Sequence, residues 1–131
     1  MAEIPESHAD LIGAPHLAHV ATTNKDGSPQ VSPIWLLREG GTIIFSTTEE
    51  RRKTKNMRRT PMIALSIVDP DNPFRYMELR GPVTIEPDPD KELPPRLYEL
   101  YVGEGQFPGD SEHRVVVRFT PEHVVAMAPP A

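Results

Sequence analysis

A chain of 131 residues suits one domain, and pairing with a second copy would help it bury a deeper core. Hydrophobic residues at 37% and charged residues at 25% describe a globular chain rather than a disordered one, and a net charge of -5 argues against a general nucleic-acid binder. No apolar run reaches the length of a membrane span, no basic-then-apolar leader opens the chain, and there is no cysteine, so the cytoplasm is the expected location, with no membrane partner, no disulfide and no thiolate chemistry.

Sixteen prolines punctuate short apolar runs, as expected of many strands joined by turns. Residues 1–16 read as an N-terminal helix that Gly13 and Pro15 stop. His16 to Thr23 is β-leaning, with Leu17, Val20 and Thr22 available to a core. Asp26-Gly27 is a strong hairpin signal, and it leads into a strand from Gln30 to Leu37. Arg38 to Gly41 turns the chain into Thr42–Thr47, so three antiparallel strands form a meander. The period then changes. Thr48 to Arg59 predicts a helix, with Thr47 and Glu50 as a capping box and Pro61 as its stop. Met62 to Val68 reads as a continuous apolar strand, and residues 69–73 as a turn-rich loop. Phe74 to Glu86 is a long strand in which Gly81-Pro82 marks a bulge or barrel corner. A linker over Pro87–Pro95, a short helix over Arg96–Val102, a loop over 103–110 and strands at Arg114–Phe119 and Val124–Met127 complete the chain.

Six or seven strands with three short helices, joined mainly by hairpins, predict a mainly β fold: one antiparallel barrel domain over residues 1–131, with helices at its openings.

Residues 49–59 carry the chemistry. They hold six of the fourteen basic residues in eleven positions of an acidic chain. They follow Ser46, Thr47 and Thr48, at a strand-to-helix junction where backbone N–H groups lack partners. Arg51, Lys53 and Asn56 add a guanidinium fork, a point charge and an amide, a set suited to one or two phosphates. Glu49 and Glu50 would compete with a bound anion unless they pair with Arg52, Lys53 or Lys55. The segment has no aromatic residue, which disfavours a nucleic-acid backbone. Trp35 reads as core before it reads as a stacking group. His16 and His19 would point to opposite faces of a strand, so no metal site is expected. Tyr76 is divided between cross-strand packing and donating a proton to a reduced substrate.

Ser46 through Pro61, the Asp26-Gly27 hairpin, Gln30-Val-Ser-Pro-Ile-Trp35, Pro73 through Gly81 and Arg114 through Phe119 together resemble the pyridoxamine 5'-phosphate oxidase-like split β-barrel family. The resemblance is greatest to its actinobacterial flavin/deazaflavin oxidoreductases, many of which use coenzyme F420. It implies the FMN-binding split-barrel fold and a homodimer with cofactor sites at the subunit interface. It also implies that Arg51, Lys53 and Asn56 hold the cofactor phosphate, with Arg52 beside them and Ser46, Thr47 and Thr48 lining the approach. Gln30, Ser32 and Pro33 would lie near the ring system, and Phe74, Arg75, Tyr76 and Met77 would come from the partner. The chain lacks the longer C-terminal segment by which pyridoxamine phosphate oxidases proper complete their substrate site, which turns the expectation away from vitamin B6 oxidation.

The implied activity is hydride transfer between F420 and a small unsaturated or aromatic substrate. The alternatives are an FMN-dependent oxidoreductase or a non-catalytic cofactor-binding protein. Lys55, Arg58, Arg59 and Arg75 are the expected supplementary partners for the acidic tail of F420, and that surplus charge favours it over FMN.

Overall fold

The computed structural model describes residues 2–105 and 107–129. Met1 of the expected N-terminal helix and Gln106 of the expected 103–110 loop lie outside the described residues.

The strands are β1 (Ala18–Thr23), β2 (Pro29–Ile34), β3 (Leu36–Glu39), β4 (Thr42–Thr48), β5 (Met62–Asp69), β6 (Asn72–Pro87), β7 (Arg114–Phe119) and β8 (His123–Met127). They pair antiparallel in the order β2-β1-β5-β6-β7-β4-β3, with β8 also on β6, and this sheet curls as in a split β-barrel. The helices are α1 (Asp10–Gly13), α2 (Arg52–Arg59) and α3 (Leu93–Tyr101).

Several expectations are corrected. The N-terminal helix is only a 3-10 turn at Glu6–His8 followed by the single turn α1, which places Leu11 and Ile12 in the core. The strand expected over Gln30–Leu37 is two strands, one pairing with β1 and the other with β4, so the meander is interrupted at Trp35. These two strands end opposite sides of the strand order, and the chain must leave one half of the sheet to enter the other. β1 buries Ala18, Val20 and Thr22 and leaves Leu17 exposed. β5 is the apolar strand expected, with Ile63, Leu65 and Ile67 facing inward and Met62 and Val68 exposed on the opposite face. α2 begins at Arg52, four residues later than expected, without the Thr47–Glu50 capping box. α3 begins at Leu93, inside the expected linker. Its prolines sit in the first turn, where a missing N–H costs nothing, and the Asp88 carboxylate accepts the N–H groups of Glu92 (3.0 Å) and Leu93 (3.1 Å).

The Gly81 corner is present. Up to Arg80, β6 pairs with β8, and from Val83 it pairs with β7. A Cβ on Gly81 would stand 2.1 Å from the Thr120 carbonyl oxygen, so the crossing requires glycine.

One core lies inside the curl, where Val20, Phe45, Leu65, Ile67, Leu79, Val117 and Phe119 are buried. Burying each such side chain contributes about 1.5–3 kcal/mol. A second, smaller cluster lies outside β4, where α3 lays Leu93 and Leu97 on Ile44, Trp35 and Val116. α3 therefore leaves a cavity between itself, the Trp35 junction and the start of α2.

Candidate functional site

That cavity has a volume of about 240 Å³ and two chemically distinct sides. Ser46, Thr47, Arg51, Lys53 and Arg114 form the polar side. Leu17, Pro33, Ile34, Trp35, Pro94, Leu97 and Phe107 form the apolar side. The sheet explains the polar half: β4 delivers Ser46 and Thr47 at its end, and the chain turns there into α2, which carries Lys53 on its first turn.

Lys53 is half-buried and its Nζ donates to Ser32 Oγ at 3.1 Å. Burial, and then the nearby Arg51 and Arg114 charges, lower its pKa below that of an ordinary lysine. Neither acid at the head of the segment competes for the site. Glu49 pairs with Arg58, and Glu50 bonds the ring and backbone N–H of His113 (2.7 and 3.0 Å), instead of pairing with Arg52, Lys53 or Lys55.

On the apolar side, Trp35 stacks on Tyr101 with ring centroids 5.1 Å apart and 9° between planes. The Tyr101 hydroxyl accepts the Leu36 N–H at 3.0 Å and lies within bonding distance of the His16 and Leu36 carbonyls. Trp35 is thus held at the strand junction as part of a rigid aromatic wall.

Of the residues expected at the site, Pro33, Ser46, Thr47, Arg51 and Lys53 line this cavity, and Ser32 joins it through Lys53. The others lie elsewhere in the protomer. Asn56 is fully buried; its amide donates to Thr22 Oγ1 (3.0 Å) and Asn24 Oδ1 (2.9 Å) and accepts from Arg59 (2.9 Å). Gln30 accepts the Thr22 hydroxyl proton at 2.8 Å in the same network. Thr48 is buried, and its Oγ1 has no hydrogen-bond partner among the described residues. Arg52 is exposed over a hollow shared with Asn24, Lys25 and Asp26. Phe74 and Tyr76 are exposed on the outer face of the sheet, Met77 is core, and Arg75 is tied to Asp10 and to Asp69 (2.9 Å). The expected surplus of charge is also smaller: Arg58 pairs with Glu49, Arg75 with those two acids, and Arg59 with the Thr23 carbonyl (2.8 Å) and Asn56.

The sequence reading assigns Arg114, α3 and Phe107 no part in the site. The only signal for Arg114 is strand alternation, which puts it on the face opposite Val115 and Val117. Its pairing with Thr48, which brings it to the cavity, is a matter of register between distant strands.

The profile of the pyridoxamine 5'-phosphate oxidase family matches residues 4–128. The chain belongs to that family. Among solved structures, it is similar to an F420 reductase at 36% identity, with a TM-score of 0.87 over 93% of this chain and 98% of the other. Lower-identity likenesses carry the fold alone. One is to a conserved hypothetical protein of Mycobacterium tuberculosis (22% identity, TM-score 0.76, 95% and 84% covered). Another is to a candidate pyridoxamine 5'-phosphate oxidase of Listeria innocua (21% identity, TM-score 0.71, 92% and 95% covered). No curated protein matches the sequence. Family membership and the likeness to an F420 reductase support an oxidoreductase role with a flavin-type cofactor. No helix among the described residues is long and apolar enough to cross a membrane.

Proposed function

We propose that this protein is an F420-dependent oxidoreductase that moves a hydride between the deazaflavin and a small unsaturated or aromatic substrate. The observation that carries the reading is the convergence of Arg51, Lys53, Ser46 and Thr47 opposite the Trp35 wall in one cavity. This donor set fits a ribityl-phosphate arm: a forked guanidinium, a point charge and two hydroxyls meet the phosphate oxygens, and the apolar side meets a planar ring. When bound, the deazaflavin supplies the hydride chemistry. The chain supplies position and dryness. Arg51 and Lys53 anchor the phosphate, Ser46 and Thr47 accept or donate hydrogen bonds along the arm, and Ser32 and Pro33 flank the ring. Thr48 and Arg52 lie beside this anchor. Gln30 and Asn56 act from behind it, through the Thr22 network that seats α2.

The whole chain serves as one cofactor-binding domain of a cytoplasmic homodimer with its sites at the subunit interface. Support for the dimer comes from an exposed apolar face. Val68, Tyr76 and Met127 are neighbours in register across β5, β6 and β8, and Val31 and Phe74 are exposed on the same sheet at 64% and 72%. In the dimer, Phe74 to Met77 of the partner, led by the exposed Phe74 and Tyr76, would close the cavity.

Fluorescence titration of the purified protein with F420 and with FMN tests the cofactor. Saturable F420 binding is expected, and binding of FMN alone would replace the deazaflavin in this reading. Lys53→Ala is expected to weaken binding at least about tenfold without unfolding the protein, a loss of roughly 1.4 kcal/mol. Turnover of a reducible substrate separates an enzyme from a carrier.

A further inference from the structure

Three cations face the cavity, and no carboxylate is among its described lining residues. Arg51 and Lys53 already have a part. Arg114 does not, and it reaches the cavity from a different strand. It stands at the start of β7, in register with Thr48 at the end of β4, and its Nη1 donates towards Ser46 Oγ at 3.4 Å. Asp110 holds it from behind: Nε and Nη2 both donate to the Asp110 Oδ2, at 2.9 and 2.5 Å. The other oxygen, Oδ1, takes Lys91 Nζ at 3.1 Å and the Glu112 N–H at 3.2 Å. The carboxylate is therefore pinned by partners on both oxygens and fixes the plane of the guanidinium. The Phe107 ring lies 5.7 Å from the guanidinium carbon and gives it a further surface to rest on.

A guanidinium has five N–H donors. Two of them go to Asp110 and one leans on Ser46, which leaves two among the described contacts for a ligand. Arg114 also lies close enough to Lys53 to loosen its proton. Like charges held this near each other in a half-buried cavity repel, and an anion removes the repulsion.

We propose that Arg114 is the third cation of the anion site, contacting the same phosphate-like group as Arg51 and Lys53, and that Asp110 is the residue that positions it. The proposal rests on the reading of this cavity as an anion site and extends it to a residue on the far strand. The chemistry it recognises is a phosphate group, whether carried by a cofactor arm or free in solution. Asp110 confers geometry: with one oxygen gripping the guanidinium and the other held by Lys91, the fork cannot swing out to solvent.

The test uses the full-length protein, inorganic phosphate as probe and the fluorescence of Trp35, the chain's one tryptophan, as signal. Arg114→Gln is expected to weaken phosphate binding about tenfold, the equivalent of one charge-assisted hydrogen bond, with Arg114→Lys recovering part of the loss. Asp110→Asn is expected to weaken it less, by about threefold, and to have no further effect in the Arg114→Gln background. Titration of the Lys53 amine by NMR is expected to move to higher pH in Arg114→Gln, a shift that mere loosening of the fold does not produce. Wild-type affinity for phosphate in Arg114→Gln overturns the assignment, as does a wild type that binds no phosphate. Independent, additive losses from Asp110→Asn and Arg114→Gln overturn the positioning role. Parallel titration with F420 and FMN keeps the two levels apart. Phosphate binding lost in Arg114→Gln, without binding of either cofactor, supports the assignment of Arg114 and defeats the cofactor reading alone.

Discussion

Asn56 donates its side-chain amide to Thr22 Oγ1 across 3.0 Å, and that bond seats helix α2 on strand β1. Both amide N–H groups and the amide oxygen are engaged, so this buried residue serves as a strut between the helix and the β1–β2 hairpin. Lys53, one turn earlier, reaches the same hairpin at Ser32. Helix and sheet thus meet through two polar ties, and the position of Lys53 depends on both.

Replacing Asn56 with alanine strands the Thr22 and Asn24 groups in or near the interior. Urea denaturation should register a loss of about 1–3 kcal/mol, the usual cost of a buried polar network left unpaired. A midpoint equal to that of the wild type would show that α2 is seated by apolar packing alone.

Lys53→Met should move stability the other way in the ligand-free protein. The lysine's folded-state pKa lies below its unfolded value, chiefly through burial and then through Arg51 and Arg114. Between those two values the unfolded chain holds more protons, so stability rises with pH across that window and carries a penalty at neutral pH. A neutral side chain of similar length removes the penalty and raises the thermal midpoint, while anion affinity falls. A lowered midpoint would count against the charged cluster as a source of strain.

Asp110 should govern part of the acid sensitivity. Its pKa is lowered to about 2, first by the Arg114 hydrogen bond and also by Lys91. A carboxylate lowered in this way stabilises the fold fully above its ordinary value of 3.8 and loses that contribution as pH falls through about 2. Asp110→Asn is expected to flatten the stability–pH profile in this range, followed by circular dichroism. An unchanged profile would locate the acid sensitivity in other carboxylates.

At Gly81 the added methyl of an alanine meets the Thr120 carbonyl at 2.1 Å, and the obstacle is backbone. Gly81→Ala should cost about 3 kcal/mol or more, read as a lowered melting temperature or failure to accumulate as folded protein. A variant as stable as the wild type would mean that the β6 crossing can open without loss.

The exposed row of Val68, Tyr76 and Met127 offers a direct test of the homodimer. Val68→Asp places a charge on that apolar face and should yield monomers by sedimentation, with folding retained because Val68 is outside the core. A wild type that sediments as a monomer would remove the interface altogether.

Much of this architecture is visible in the chain. Local chemistry is enough for the Asp26-Gly27 hairpin and the β7 alternation, because each depends on neighbours in sequence; Gly81-Pro82 marks its corner locally, but the reason for the glycine is the distant Thr120 backbone. The short N-terminal turn and the break in the Gln30–Leu37 strand have the opposite origin. Leu11 and Ile12 need one turn to reach the core, and Trp35 must let the chain pass between sheet halves. Neither demand exists until the sheet has curled.

The same division runs through the site. The sequence by itself determined that a cationic cluster follows a strand rich in hydroxyls, because charge and residue type are properties of the chain. Only the tertiary structure decided which members of that cluster face one cavity. Lys53 and Arg51 turn towards it and Asn56 turns into the interior. Arg114 arrives from a strand sixty-eight residues beyond Ser46 through register alone. Strand pairing and helix seating are long-range choices that minimise the area of exposed core, and no local pattern around Arg114 records them.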